Sequence, residues 1–301
     1  MKRILLFVLA VLMILTSFSA CSANEPKTET IPTELQTNPT EPTEIETLPV
    51  VTDPPVTEPP APTEPPAPTI PPLGVDSGSY LECYNSDTYN DYLNYYVHVP
   101  ENAVINMPLI IYLHGDGEVN NPDSLLEYGI LSFAKDIYGD GYPFIILEPN
   151  TRVKSWTSGH IPELLVELIE YVTEHYSINA DQVILTGFSR GAMGVWDMIS
   201  TYPEYFSAAV PISSPQQKGH IYYKYAAKVP VWTFAGDIGE TERWYHQFLQ
   251  ENVEMIRACG GYGKFTVLKD CDHGHAPTMA FTSELFDWML AQQRGIIPAE
   301  G

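Results

Sequence analysis

The segment Gln182–Trp196 reads QVILTGFSRGAMGVW and places a glycine-flanked serine between two apolar stretches. The run Val183–Thr186 is aliphatic and β-branched, which favours a buried strand. Gly187 and Gly191 lie on either side of Ser189, and glycines let the backbone turn tightly from a strand into a helix. Such a turn lifts the serine hydroxyl clear of the sheet, where it can act as a nucleophile. The alternative is a plain turn in which the serine caps the helix.

Strand-like and helix-like segments alternate along the rest of the chain. Continuous apolar runs over 108–113 and 143–147 are bounded by proline or glycine, as buried parallel strands are. Pro162–His175 has its leucines and isoleucine at helical spacing, with glutamates on the other side. Further strands are predicted over 91–99 at a sheet edge, 208–212, 229–234 and 265–268, and further helices over 190–199, 240–257 and 280–293. This alternation predicts a mostly parallel central sheet with helices on both faces.

Composition divides the 301 residues into a globular part and an N-terminal part. Of the 27 prolines, 15 fall between Ser22 and Leu73, together with nine acidic residues, one lysine and no aromatic residue. Such a stretch cannot bury enough apolar surface to fold, so we expect a disordered stalk over 22–74 and a globular domain over 75–301. The net charge is −23, from 15 Lys and Arg against 38 Asp and Glu. Because phosphates would be repelled, nucleic acid is excluded as a partner.

The first 21 residues predict export. Three residues including Lys2 and Arg3 precede an apolar run over 4–15, which is too short to span a bilayer as a lone helix. The following Phe18-Ser19-Ala20-Cys21 resembles the lipobox of bacterial lipoproteins. The resemblance implies that Cys21 is lipidated and that the protein is anchored to the outer face of the cell membrane. An ordinary cleaved signal peptide is the alternative.

Three motifs together resemble the α/β-hydrolase superfamily over about residues 90–293. They are LIIYLHGDGE over 109–118, the pair Ser155-Trp156, and QVILTGFSRGAMGVW. They are similar to bacterial esterases of the phospholipase/carboxylesterase, feruloyl esterase and polyhydroxybutyrate-depolymerase-like group. Members of that group often read LHGxG after the third strand and GxSxG after the fifth. The resemblance implies the α/β-hydrolase fold with Ser189 as nucleophile.

The same resemblance assigns an oxyanion hole and a substrate contact. In this fold the residue after the nucleophile and a residue of the loop after the third strand donate backbone N–H groups to the oxyanion. By that matching the donors are Asp116 and Arg190. His114 is expected to fix the loop. Trp156 falls in a region that lines the active-site mouth in the relatives, and we expect it to contact the substrate.

The general base and the acid should follow the serine along the chain. Residues 270–275 read DCDHGH, and His273 is the expected base, with His275 as the alternate. A metal site here would have few ligands, so no metal is expected. The group usually reads Gly-x-x-Asp in the acid loop, whereas residues 235–240 read AGDIGE, with glycine at the expected acid position. Asp237 is the preferred acid and Glu240 the alternate.

These residues predict a serine hydrolase that cleaves carboxylic esters, on acylated polysaccharide or on small esters, without a cofactor. The expected partners are the ester substrate and, through the N-terminal lipid, the membrane. One alternative is a serine peptidase of the same fold. The other is a surface lipoprotein that binds a ligand without catalysis.

Overall fold

The computed structural model describes residues 72–216, 219 and 222–299. The expected signal segment with Cys21, and the expected stalk up to residue 71, lie outside the described residues. Within the described ranges, no helix has the length and apolar character needed to cross a membrane.

A single twisted sheet organises the described residues. Its order is β1-β2-β4-β3-β5-β6-β7-β8. The strands are β1 (Gly78–Ser86), β2 (Asp91–Val99), β3 (Leu109–Leu113), β4 (Ile145–Asn150), β5 (Val183–Phe188), β6 (Ala208–Ile212), β7 (Val231–Gly236) and β8 (Gly263–Leu268). Strand β2 runs antiparallel to both β1 and β4, and all the remaining neighbours are parallel. The mostly parallel sheet predicted from the sequence is confirmed.

Helices cover both faces of this sheet. They are α1 (Leu125–Tyr128), α2 (Leu131–Tyr138), α3 (Ile161–His175), α4 (Arg190–Thr201), α5 (Tyr223–Ala226), α6 (Glu240–Ala258), α7 (Ala276–Ala280) and α8 (Ser283–Leu290), with short 3₁₀ turns at Pro122–Ser124, Gly139–Gly141 and Pro203–Tyr205. Alternate residues of β3 enter two separate hydrophobic clusters, because successive side chains of a strand point to opposite faces. One cluster contains Trp196 of α4 and Leu249 of α6, and the other contains Phe286 of α8.

Strand β1 and helices α1, α2 and α5 were not predicted, and two predicted elements are placed differently. The predicted edge strand over 91–99 is not at the edge, since β1 pairs with it along its whole length. Strand β1 is hard to recognise in GSYLECYNS because its inward face, Tyr80, Glu82, Tyr84 and Ser86, is half polar and only Ser86 is fully buried. The predicted last helix over 280–293 is shorter, since α8 spans Ser283–Leu290, and the short helix α7 at Ala276–Ala280 precedes it. Thr282 separates them, and its hydroxyl caps α8 by accepting the N–H of Leu285 at 3.3 Å.

Candidate active site

Ser189 lies at the turn between β5 and α4 in a strained backbone conformation. Its φ is 54° and its ψ is −113°, a region that residues with a Cβ rarely adopt. The turn is held because the N–H of Ser189 donates to the carbonyl of Ile212, at the end of the neighbouring strand β6, at 2.9 Å. The hydroxyl is thereby presented at the carboxyl edge of the parallel strands, where this class of sheet places its ligand sites.

Two glycines make this turn sterically feasible. A Cβ on Gly191 would lie 1.8 Å from the carbonyl oxygen of Leu113, and a Cβ on Gly187 would lie 2.8 Å from the carbonyl of Gly191. Both distances are far below van der Waals contact, so only glycine lets the first turn of α4 lie against the end of β3.

His273 lies on the loop between β8 and α7 and bridges two other side chains. Its Nε2 atom is 2.9 Å from Oγ of Ser189, and its Nδ1 atom is 2.6 Å from Oε1 of Glu242. Since a carboxylate only accepts, Nδ1 carries the proton and Nε2 is free to accept the serine hydroxyl. The ring of Phe188 lies against the imidazole, with 4.8 Å between centroids. The three side chains form one hydrogen-bonded series in which Ser189 can lose its proton to the imidazole.

Glu242 is the acid of this series, and the sequence prediction missed it. It is the third residue of α6 and is fully buried. Its Oε2 atom accepts the N–H of Gly236 at 2.6 Å and the hydroxyl of Ser213 at 3.0 Å, while Oε1 faces His273. Three donors therefore satisfy the carboxylate and fix its orientation. Ser213 and Gly236 come from the ends of β6 and β7, so neighbouring strand ends build the site together.

The prediction that Asp237 or Glu240 is the acid bonded to His273 is wrong. The Asp237 carboxylate lies 3.6 Å from Nζ of Lys269 and accepts the N–H of Cys271 at 3.4 Å, so it is turned toward the end of β8. Glu240 is exposed at the first position of α6. The chain enters α6 through Gly239 at a φ of 97°, and the first helical turn then directs Glu242 inward.

The alternate base, His275, does not join the site. Its ring is exposed, and Nδ1 lies 2.7 Å from Oδ1 of Asp272, three residues earlier. In residues 72–216, 219 and 222–299 no cluster of three or more His, Cys, Asp or Glu side chains has the placement needed to hold a metal ion.

The loop after β3 carries the expected oxyanion residue Asp116 and is anchored by His114. The buried His114 donates from Nδ1 to the carbonyl of Gly115 at 2.6 Å, and its Nε2 accepts the N–H of Thr151 at 3.1 Å. Burial lowers the pKa of His114 to about 4, against hydrogen bonding to Gly115 and the charge of Asp116. The ring is therefore neutral near pH 7, in the single tautomer that these two bonds require.

The side chains of the two expected oxyanion donors form an ion pair. The guanidinium of Arg190 donates through Nε and Nη2 to the two carboxylate oxygens of Asp116, the second contact at 3.1 Å. The Arg190 hydrogen bonds, with its charge, hold the pKa of Asp116 below its usual range, against the opposing effect of burial. The pair connects the loop after β3 to the start of α4.

Trp156 does not line the site, and the expectation that it contacts substrate is wrong. Only 2% of its surface is exposed. Its indole N–H donates to the carbonyl of His114 at 3.0 Å, and its Cβ lies close against Gly194 of α4. Trp156 therefore supports the loop after β3 from inside the protein.

A cavity of about 270 Å³ opens beside the series of side chains. Its wall includes Phe188 and Gly274, which are the chain neighbours of Ser189 and His273. Tyr112 and Glu118 complete the part nearest the loop after β3. A cavity of this size, with aromatic walls and a few polar groups, suits part of a small organic substrate.

No family model matches this chain. A bifunctional acetylxylan esterase/xylanase of Neocallimastix patriciarum is 26% identical over 129 residues, which cover 41% of this chain and 18% of that protein. Acetylxylan esterase A of Aspergillus awamori is 26% identical over 168 residues, 50% of this chain and 52% of that protein. The chain thus spans about half or less of the length of these curated relatives.

Solved structures of similar shape include a thermostable esterase. It superposes with a TM-score of 0.63 at 21% sequence identity, over 72% of this chain and 63% of that one. Three observations indicate the same fold: the strand order, the strained serine between β5 and α4, and this structural similarity. The described part of the chain has the α/β-hydrolase fold.

Proposed function

We propose that this protein is a serine esterase that hydrolyses carboxylic esters at Ser189. The observation that carries the proposal is the hydrogen-bonded series from Ser189 through His273 to the buried Glu242. Its order, nucleophile to base to acid, is the one that acyl transfer requires. The names of the relatives, which are esterases, point the same way.

The geometry supports a two-step reaction. Oγ of Ser189 attacks the acyl carbonyl while its proton passes to Nε2 of His273, and the backbone N–H groups of Asp116 and Arg190 stabilise the oxyanion. The C–O bond of the ester then breaks, and His273 returns the proton to the leaving alcohol. Water repeats the sequence on the acyl-enzyme and releases the acid. Throughout, Glu242 holds Nδ1–H and stabilises the imidazolium.

The substrates that we propose are acylated polysaccharides and small esters. Two matched relatives are named for acetylxylan, although each matches at most half of this chain. The reaction needs no metal or organic cofactor, because the base, the acid and the oxyanion donors are all groups of the chain.

A fluorophosphonate probe tests the proposal directly. It should phosphonylate Ser189, as peptide mass spectrometry would detect, and Ser189→Ala should abolish both labelling and hydrolysis of 4-nitrophenyl acetate. Ser158→Ala, at an exposed serine outside the site, is the matched control and should keep both. Labelling at another serine, or an active Ser189→Ala variant, would contradict the mechanism. A stable protein that neither labels nor hydrolyses esters would favour the non-catalytic binding role, and cleavage of peptides alone would favour the peptidase.

We propose further that the enzyme is exported and held at the membrane by a lipid on Cys21. The support is the Ser19-Ala20-Cys21 junction after an apolar run. The Cys21→Ser chain should leave the membrane fraction or accumulate as a precursor. Correct cleavage together with unchanged membrane fractionation of that variant would argue for another anchor.

A further inference from the structure

Helix α6 presents an exposed aromatic pair outside the catalytic series. Trp244 is 52% exposed, and its ring lies against the half-buried Phe248 one turn later, with 4.2 Å between centroids. Residues four apart on a helix share a face, so the two rings form one surface. We call Trp244 and Phe248 the aromatic platform.

The platform is connected to the catalytic histidine through one further ring. Tyr245 lies 5.6 Å from Trp244 and 6.0 Å from His273, measured between ring centroids. Tyr245 is half-buried and follows Glu242 by three residues, so it faces the same side of α6 as the acid. A ligand on the platform therefore lies one aromatic ring away from the base.

We propose that the aromatic platform binds a sugar ring of a neutral polysaccharide whose ester group is cleaved at Ser189. This inference rests on the proposed esterase function and adds to that site a position where the sugar part of the substrate binds. A pyranose has a face of C–H groups that can pack on an aromatic ring, while its hydroxyl groups at the edge stay hydrated. Exposed Gln247, one turn from Trp244, donates from its amide nitrogen to Glu251 at 3.0 Å, so its amide oxygen is the group that it offers to such hydroxyls.

Size and charge favour this occupant over others. Two aromatic side chains offer a few hundred Å² at most, well below the roughly 1,000 Å² that a stable protein interface requires. A single sugar ring needs no larger surface. The chain carries a net charge of −23, so a polysaccharide rich in carboxylates and an anionic membrane surface would both be repelled. A neutral polysaccharide meets both conditions, because it carries no charge and one of its rings is covered by a surface of this size.

The experiment compares one polymeric and one small ester. Acetylated xylan and 4-nitrophenyl acetate carry the same acyl group, but only the first has sugar rings to occupy the platform. Trp244→Ala should lower kcat/KM on acetylated xylan roughly threefold to tenfold more than on 4-nitrophenyl acetate, mainly through KM. Trp244→Tyr should restore most of the loss, because a smaller ring can still stack. Tyr225→Ala, at an exposed aromatic residue of α5, is the matched control and should leave the ratio of the two activities unchanged.

A binding measurement separates this inference from the esterase proposal. In the Ser189→Ala background, affinity electrophoresis in acetylated xylan should retard the protein, and adding Trp244→Ala should abolish the retardation. Suppose that the parent hydrolyses esters but Trp244→Ala lowers both activities equally, or does not change the retardation. The proposal that the platform binds sugar is then wrong, and the esterase proposal is unaffected. If the parent hydrolyses no ester but its retardation depends on Trp244, the platform binds sugar and the esterase proposal fails.

Discussion

Arg190 and Asp116 are joined by two hydrogen bonds between their side chains, although 74 residues separate them along the chain. These are the residues whose backbone N–H groups we assign to the oxyanion. The pair is partly exposed, so it contributes little to stability. Its effect is geometric, because it sets the distance between the loop after β3 and the first turn of α4.

Removing this ion pair should lower the turnover. Arg190→Gln and Asp116→Asn both keep their backbone N–H groups, but the two donors lose their fixed spacing, so kcat should fall about tenfold with a smaller change in KM. The kinetics of 4-nitrophenyl acetate hydrolysis measure this. The kcat of the double variant should be no lower than that of either single variant, since all three remove the same contact. Additive losses would mean that the side chains act separately. Lys135→Gln, which breaks the exposed pair with Asp140, is the control and should have no effect.

Glu242→Gln should lower kcat by roughly 10²- to 10⁴-fold near neutral pH. The amide can donate to Nδ1 and thereby favours the imidazole tautomer whose Nε2 cannot accept the serine proton. Asp237→Asn and Glu240→Gln are matched controls from the same stretch, and their kcat should fall by less than about threefold. Circular dichroism verifies that each variant is folded. A large loss of kcat in Asp237→Asn, together with an active Glu242→Gln, would show that Asp237 is the acid, as expected from the sequence.

The buried His114 should make the protein less stable in acid. Its pKa falls from the ordinary value near 6.5 when unfolded to about 4 in the folded protein, so the folded state binds fewer protons between these values. The contribution is fully present above about pH 6.5 and is lost as the pH falls toward 4, on the order of 3 kcal/mol in all. Urea unfolding at pH 7, 5.5 and 4 should show that the free energy of unfolding falls more steeply with decreasing pH in the parent than in His114→Gln. An equal pH dependence in the two proteins would exclude His114 as the source of the acid sensitivity.

Gly191→Ala should destabilise the protein strongly. The new Cβ would lie 1.8 Å from the carbonyl of Leu113, which is backbone and cannot rotate away. The free energy of unfolding should drop by more than about 3 kcal/mol, or the chain should fail to accumulate as soluble protein. Gly141→Ala is the control, since a Cβ there meets nothing within 4 Å. Similar melting temperatures for the two variants would contradict the close approach.

The sequence predicted the parts of the site that depend on local structure. Ser189 was recognisable because its neighbouring glycines and the apolar strand before it form one continuous pattern. His273 was one of two candidates on a short loop, and the structure brings it within 2.9 Å of Ser189. Both residues are positioned by the turns in which they occur.

The missed parts depend on contacts between distant segments. Glu242 is one of three acidic residues within six positions, and an acidic residue in the first turn of a helix is expected for the helix dipole alone. Its inward direction follows from donors on β6 and β7, which no spacing reveals. Trp156 was misjudged for the same reason, because its burial depends on Gly194 and His114.

The location of Glu242 on a helix also bears on how this site could be re-engineered. An acid on a flexible loop can be moved into another scaffold by replacing that loop. Here the acid, Tyr245 and Trp244 are held by the same helical backbone, and Glu242 is itself bonded to the last residue of β7. The smallest portable module is therefore the end of β6 through Ser213, strand β7 and the first turns of α6, and a graft of fewer residues would transfer the carboxylate without its alignment.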